Sequence, residues 1–383
     1  MRITVIADVL GEEHTGTTIT VKRLINNLRK RGHEVSVVSA GDGTPSGEDG
    51  CYTVEKIDFK IFNDYVAKNG VALAKPNEEV LRAGIEKSDV VHILMPFPLG
   101  RAAVRMCAEM KKPVTTAFHV QPENVSSHFG LQKSKAVNDY IYKNFLKGFY
   151  SYASYIHCPT EFIARQLRSH GYKQDLRVIS NGVDPAFTPR RSPKPAEYAD
   201  KFCILNTGRF VKEKCQQDLL KAIPYCRHAD KIQVFIAGEG PLEKRLRQLG
   251  EKLKNPPVIG FHPKEELADI ISFCDLYVHP SYAEIESIAC VEAITCGLVP
   301  VISDSKMSAA KYFARDKRNL YQAGSPRMLA ARIDYMIDHP ELREKLRAEY
   351  IAYAERFRID KCIDKMEEMF EDAVAGRHRE QTV

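Results

Sequence analysis

At 383 residues the chain exceeds what one typical core fills, so two domains are expected. Charged residues make up 28% and hydrophobic ones 44%, a soluble composition, and no apolar run reaches the ~18 residues of a membrane-spanning helix. A net charge of +6 permits contact with anionic lipid or nucleic acid without requiring either. The ten cysteines form no CxxC pair and several lie in apolar contexts, so they are expected reduced, buried and cytoplasmic.

Ile3–Ala7 reads as a first strand, not as a signal peptide. The loop from Asp8 to Thr18 follows, with His14, Gly16 and Thr17, and then an amphipathic helix from Ile19 to Arg31. Gly32 ends that helix, and Glu34–Ser39 is the second strand. Strand, loop, helix, strand is the order of a doubly wound sheet. The loop lacks GxGxxG, but Gly16 lets the helix start, with its free N–H groups, approach an anion. Residues 41–50 form a polar surface loop, 78–88 a helix, Val90–Met95 a strand, Arg101–Met110 a helix and Val114–Phe118 a strand. His119 stands at the carboxyl end of that strand, as a site candidate or as a ring that closes a loop.

Residues 131–157 alternate aromatic residues with lysines, among them Lys133, Lys135, Lys143, Lys147, Phe149 and Tyr150. That composition suits an interfacial surface, a stacking surface for single-stranded nucleic acid, or a domain helix whose aromatics are core. Ile156–Cys158 is a short strand, and Ser180-Asn181-Gly182-Val183-Asp184 a tight turn. Pro185, Pro189, Pro193 and Pro195 then mark a linker, which places the domain boundary near residues 188–198.

The second half restarts the pattern. The strand Phe202–Asn206 runs into Thr207-Gly208-Arg209, with Lys212 and Lys214 beyond; Val234–Ala237 runs into Gly238-Glu239-Gly240-Pro241. Helices are expected at 216–223, 242–253 and 265–272, and a short strand at 258–261. Leu276–Val278, a polar turn with Glu284, the helix Ile288–Cys296 and the strand Val299–Ile302 form a βαβ unit, with Gly297 ending its helix. Glu292 lies inside that apolar helix, as half of an ion pair or as a carboxylate that binds ligand hydroxyls. From 326 to about 374 the chain is mostly helical, with a frayed polar tail.

Arg209 and Lys214 just past a strand suit the diphosphate of a nucleotide, and the carboxylates of Glu284 and Glu292 suit vicinal hydroxyls of a ribose or hexose. Together they point to a nucleotide-sugar donor. No GxxxxGK[ST], HExxH or Cys/His cluster is present, so neither P-loop phosphoryl transfer nor a metal is expected.

Glu284 through Glu292 has the EX7E spacing, and it is preceded in order by Ser180-Asn-Gly-Val-Asp184, Gly208-Arg-Phe-Val-Lys-Glu-Lys214 and Ala237-Gly-Glu-Gly-Pro241. On these motifs the whole chain resembles the retaining glycosyltransferases of family 4. The resemblance implies the α/β GT-B architecture: two Rossmann-like doubly wound domains facing a central cleft. It implies an acceptor-binding domain over 1–190, a nucleotide-sugar domain over 191–355 and a helix over 356–383 that returns to the first domain. It further implies that Arg209 and Lys214 hold the diphosphate, Glu292 the ribose and Glu284 the transferred sugar near its 3- and 4-hydroxyls. His119 would lie near the reacting centre, and Gly16 and Thr17 would approach the diphosphate. The sequence departs from the family pattern where Thr17 and Thr18 follow Gly16, at Cys215 after Lys214, and at Ile285-Glu286-Ser287-Ile288, which lacks a Phe-Gly pair.

The expected reaction moves a hexose, glucose from UDP-glucose, to a membrane lipid such as diacylglycerol, with no metal, no nucleic-acid partner and a cytoplasmic, peripheral location. The lipid acceptor and anionic membrane surface rest on the basic, aromatic stretch 131–155. The alternatives are a family 4 transferase acting on a soluble sugar, a sugar phosphate or a polysaccharide precursor, and a non-catalytic nucleotide- or carbohydrate-binding protein.

Overall fold

The computed structural model describes residues 1–8, 10, 16–41, 50–58, 73–127, 129–131 and 133–377, with Gly16 and Thr17 given by backbone alone. They form two compact units, Met1–Asn181 with Cys362–Val383, and Gly182–Lys361. Each unit is built on a parallel sheet with helices between its strands, the doubly wound α/β architecture.

The first unit's strands are β1 (Arg2–Ala7), β2 (Glu34–Gly41), β3 (Cys51–Glu55), β4 (Val90–Ile93), β5 (Val114–Ala117), β6 (Tyr155–Cys158) and β7 (Asp175–Val178), in the order β3-β2-β1-β4-β5-β6-β7. Neighbours pair in parallel, for example Val5 opposite Val37 and His92. The inner strands are apolar on both faces because helices cover both; β4 is buried throughout. The helices between them start where the sequence supplies caps: Asn77 accepts from the Val80 N–H at 3.1 Å, and Thr160 from the Ile163 N–H at 3.4 Å. The C-terminal helix Ile359–Val374 completes this unit from Cys362 onward, burying Met369 and Phe370. Arg177, on β7, is bonded to Asp372 on that helix at 2.8 Å, and Arg31 to Glu367 at 2.5 Å.

The second unit's strands are β8 (Phe202–Thr207), β9 (Ile232–Ala237), β10 (Val258–Gly260), β11 (Leu276–His279), β12 (Ala283–Glu284), β13 (Pro300–Ser303), β14 (Met307–Ser308) and β15 (Leu320–Tyr321). The main sheet runs β10-β9-β8-β11-β13-β15, and β12 pairs with β14 in a separate short ladder. One apolar core, including Leu205, Ile236, Val278, Ile294 and Ile302, lies on the sheet. The proline-rich stretch is strapped to this unit: Lys194 bonds Asp275 at 2.6 Å, and the Ser192 N–H donates to the Ser272 carbonyl. The helix Ile288–Thr295 ends at Gly297, whose φ of 82° allows the chain to reverse into β13.

Several expectations change. Of the readings of 131–157, the domain helix with core aromatics is the one seen over Lys135–Gly148, where the inward positions Asn138, Tyr142 and Phe145 follow helical spacing into the core. Phe149 and Tyr150, expected at an interface, are buried, with the Tyr150 hydroxyl donating to the Ala117 carbonyl at 3.1 Å. The four lysines Lys133, Lys135, Lys143 and Lys147 remain exposed. The cysteines carry free thiols, but not all are buried: Cys51 is exposed at the edge strand β3, and Cys215 is half-buried in a loop. His14 lies outside the described residues.

Candidate active site

In an open parallel sheet, loops at the carboxyl ends of the strands are where backbone N–H groups and polar side chains converge. In the second unit these loops follow β8, β9 and β11. After β8, Gly208 takes φ 142°, and its N–H donates to the Ala237 carbonyl at 2.9 Å. The Phe210 N–H donates to Glu239 at 2.7 Å, and the Leu242 N–H to Phe210 at 3.0 Å, so the 207–211 and 238–242 loops are laced together. Arg209, half-buried in this lacing, has its carbonyl fixed by the Gln216 side chain at 2.8 Å, and no carboxylate pairs with it among the described residues.

The turn Lys212–Lys214 ends in Cys215, a non-glycine residue with φ 53°, which turns the chain into the helix Gln216–Ala222. This places Lys214 Nζ 2.6 Å from Glu284 Oε1. Glu284 sits on β12, with its side chain 8% exposed. The Tyr282 N–H donates to the Glu213 carbonyl at 2.7 Å, and Ser305 Oγ donates to the Tyr282 carbonyl at 2.6 Å, which tie β12's approach to the lysine turn and to the loop after β13.

The same carboxylate meets a second donor. His279, the last residue of β11, is buried, with Nε2 3.2 Å from Glu284 Oε1 and 2.6 Å from Ser287 Oγ. Its Nδ1 lies 3.2 Å from the Tyr277 hydroxyl, which in turn lies 3.1 Å from Thr207 Oγ1. Burial by itself would raise the Glu284 carboxyl; Lys214 and His279 outweigh it and hold the group well below the usual carboxylate range. Glu284 is therefore an anion at neutral pH, held by one oxygen. Glu292 follows on the helix Ile288–Thr295 and is half-buried.

Lys214 and Glu284, singled out separately in the sequence, are thus direct partners, with Arg209 in the adjoining loop and Glu292 on the next helix. His119, Gly16 and Thr17 belong to the first unit. Gly16 and Thr17 open the helix Gly16–Lys30. His119, just past β5, is half-buried, edge-on to His157 with ring centroids 5.5 Å apart. Burial, and the neighbouring His157, push it down to about 3, so its ring is neutral at neutral pH.

The sequence reading missed His279, Tyr277, Thr207 and Ser287. His279 carries the same signal that singled out His119, a polar residue at the carboxyl end of an apolar strand. Among the described residues, no group of three or more His, Cys, Asp or Glu side chains is arranged to hold a metal.

Two family models together cover residues 14–356: Glycosyltransferase Family 4 matches residues 14–187, and Glycosyl transferases group 1 matches residues 188–356. The chain is a GT-B-fold glycosyltransferase. This glycosyltransferase is 22% identical over 377 residues to the alpha-monoglucosyldiacylglycerol synthase of Streptococcus pneumoniae, covering 93% of this chain and 83% of that protein. Its fold matches HepE of Anabaena in complex with UDP-glucose (TM-score 0.71, 17% identity, 97% of this chain and 100% of that one). It matches the sucrose-phosphate synthase of Thermosynechococcus elongatus similarly (TM-score 0.75, 17% identity, 98% and 99%). The glycosyltransferase depends on a nucleoside-diphosphate sugar, as membership of these families implies. Among its described residues, no helix is long and apolar enough to cross a membrane.

Proposed function

We propose that this glycosyltransferase moves a hexose from a nucleoside-diphosphate sugar, UDP-glucose in the first instance, with retention of anomeric configuration, to a hydroxyl of a soluble sugar, a sugar phosphate or a polysaccharide precursor. The observation that carries the reading is the Lys214–Glu284 pair: a cation suited to a diphosphate and a carboxylate suited to sugar hydroxyls, 2.6 Å apart at the ligand edge of the sheet. Lys214 and Arg209 hold the diphosphate; the Lys214 ammonium keeps two N–H donors beyond the one given to Glu284. Glu284 accepts hydrogen bonds from the sugar's 3- and 4-hydroxyls, and Glu292 from the ribose. Gly16 and Thr17 offer helix-start N–H groups to the diphosphate, and neutral His119 lies near the sugar. The bond from the anomeric carbon to the diphosphate oxygen breaks, and the acceptor oxygen attacks from the same face. The acceptor's proton passes to the departing phosphate, so no protein nucleophile takes part.

A second reading, a diacylglycerol acceptor reached from an anionic membrane surface, is favoured by the four exposed lysines between 133 and 147 beside exposed Phe129, Leu131, Tyr140 and Tyr152. The resemblance to the S. pneumoniae synthase across 93% of this chain supports it too. Burial of Phe149 and Tyr150 removes part of the aromatic surface on which it rested.

One experiment separates these readings. Purified protein is given labelled nucleotide sugars with a sugar, a sugar phosphate, a saccharide precursor or diacylglycerol liposomes, and the products are identified. A water-soluble or saccharide product supports the first reading, and a new glycolipid the second. Glu284→Ala is expected to abolish transfer while sparing nucleotide binding, and Glu292→Ala to weaken nucleotide binding itself; full turnover in both variants overturns the assignment.

A further inference from the structure

We infer that His279 is a positioning residue that keeps the Glu284 carboxylate in place when the donor draws Lys214 away, so that one carboxylate oxygen stays open to the sugar. The inference rests on the proposed role of Glu284 as the sugar-binding group.

Glu284 lies on a two-residue strand, a short support for a side chain that must hold an orientation. Among the described residues, both Lys214 and His279 fall on Oε1. The lysine is a flexible ammonium with its own attraction to a diphosphate, and a bound nucleotide competes for it. The imidazole is a rigid ring at the end of a sheet strand, and it has no such competing ligand. With Oε1 held by His279, the carboxylate does not rotate to follow the lysine, and Oε2 remains to accept from the sugar hydroxyls.

The surroundings of His279 decide which ring nitrogen carries the proton. Tyr277 is buried, and burial pushes its hydroxyl well above the usual range, so it stays a donor. Thr207 donating to Tyr277, and Tyr277 donating to His279 Nδ1, satisfies each group in turn. The proton then sits on Nε2, and that one N–H is shared between Ser287 Oγ at 2.6 Å and Glu284 Oε1 at 3.2 Å. Ser287 has φ 73°, in the left-handed region where glycine is favoured, and its hydroxyl lies 2.6 Å from Nε2. The strained backbone thus carries a side chain that glycine lacks, placed against the positioning ring.

The test compares wild type, His279→Leu and His279→Gln by calorimetry with a nucleoside diphosphate and with its sugar conjugate, using the nucleotide that wild type turns over. The quantity read is the ratio of the two affinities, which isolates the sugar contact from the nucleotide contact. In His279→Leu the ratio is expected to fall about tenfold, with affinity for the bare diphosphate unchanged, because the hydrogen bond that orients the carboxylate is gone. His279→Gln, whose side-chain N–H donor replaces that of Nε2, is expected to restore the ratio to within about twofold of wild type. A wild-type ratio in His279→Leu overturns the inference, and so does an equal loss of both affinities in both variants, which marks a merely structural role. If His279→Leu does not fold, Tyr277→Phe, which removes only the hydroxyl that fixes the tautomer, serves instead: a lowered ratio supports the inference and an unchanged one overturns it. Failure of wild type to bind or use any nucleotide sugar is a different result, and it overturns the proposed function rather than the role of His279 within it.

Discussion

A Cβ on Gly238 would lie 2.2 Å from the carbonyl oxygen of Gly208. The two glycines close the contact between the loops after β8 and β9, and it is this contact that presents Arg209. Gly238 also has φ 150°, so a side chain there meets both a backbone oxygen and an unfavourable conformation. The neighbour is backbone and cannot swing aside. Gly238→Ala is expected to cost at least ~2 kcal/mol and to weaken nucleotide affinity about tenfold, read by denaturant unfolding and calorimetry. Gly260→Ala, where a Cβ meets nothing within 4 Å, is the control, with an expected cost below ~1 kcal/mol.

The first unit contains a buried ion pair that ties its C-terminal helix to the sheet edge. Arg177 is 6% exposed and bonds both Asp175 and Asp372, and its guanidinium lies 5.0 Å from the Tyr155 ring centroid. Removing the cation strips Asp175 and Asp372 of the guanidinium they share and leaves Asp372 with the exposed Arg377, 3.2 Å away. Arg177→Leu is expected to destabilise this unit by about 3–5 kcal/mol and to expose the residues beyond 362 to protease, read by denaturant unfolding and by mapping the cleavage sites. Arg177→Leu combined with Asp372→Leu is expected to recover part of the loss, because one of the stranded charges is removed.

The sequence made the two doubly wound sheets legible because their inner strands are short apolar runs, such as Val90–Ile93 and Leu276–His279, set between helical periods. The edge strands were not legible. β3 reads Cys-Tyr-Thr-Val-Glu with its outer face polar, and β7 carries Asp175 and Arg177, whose burial depends on Asp372 far along the chain. The motif residues Arg209, Lys214, Glu284 and Glu292 stood out by spacing. That Lys214 and His279 converge on one oxygen of Glu284 is a tertiary fact, because β11 and the 212–214 turn meet only through the sheet order β8-β11. The aromatic stretch misled because composition does not say which side of a helix faces inward, and Phe149 and Tyr150 lie beyond the helix end at Gly148.

Two buried histidines of the first unit give its stability a pH slope. Burial holds His157 down to about 4 and His92 well below the usual range. Unfolded, each binds a proton below about pH 6.5; folded, each stays neutral through pH 5, so their contribution to stability falls as pH drops from 6.5. Asp8 opposes this, since burial raises it to about 7 and the folded state keeps its proton; burial raises Glu123 in the same direction. His119, pushed down to about 3, adds to the slope in the same direction as the two histidines. Replacing one histidine isolates its share: His157→Asn is expected to reduce the slope of unfolding free energy between pH 6 and 5 by about 1 kcal/mol per pH unit relative to wild type. Denaturant unfolding at several pH values checks it, and an unchanged slope contradicts the neutral assignment.

Lys214, with His279, sets the pH dependence contributed by Glu284. In wild type the folded carboxyl lies below its unfolded value, so its contribution is fully present above about pH 4.3 and is lost only as pH falls through the lower, folded value. Lys214→Met removes one of the two partners that oppose burial and leaves His279. The folded carboxyl then rises from its wild-type position, and less of its contribution is present at neutral pH. The stability gap between wild type and Lys214→Met should therefore already be open at pH 4, where the wild-type contribution is nearly complete, and should hold or widen towards pH 7, reaching about 1–3 kcal/mol for a buried carboxylate deprived of its cation. Lys214→Arg keeps a positive charge and should keep the wild-type dependence. Urea unfolding across pH 4 to 7 reads both variants, and a gap that narrows with rising pH would show that Lys214 does not hold Glu284 in its ionised form.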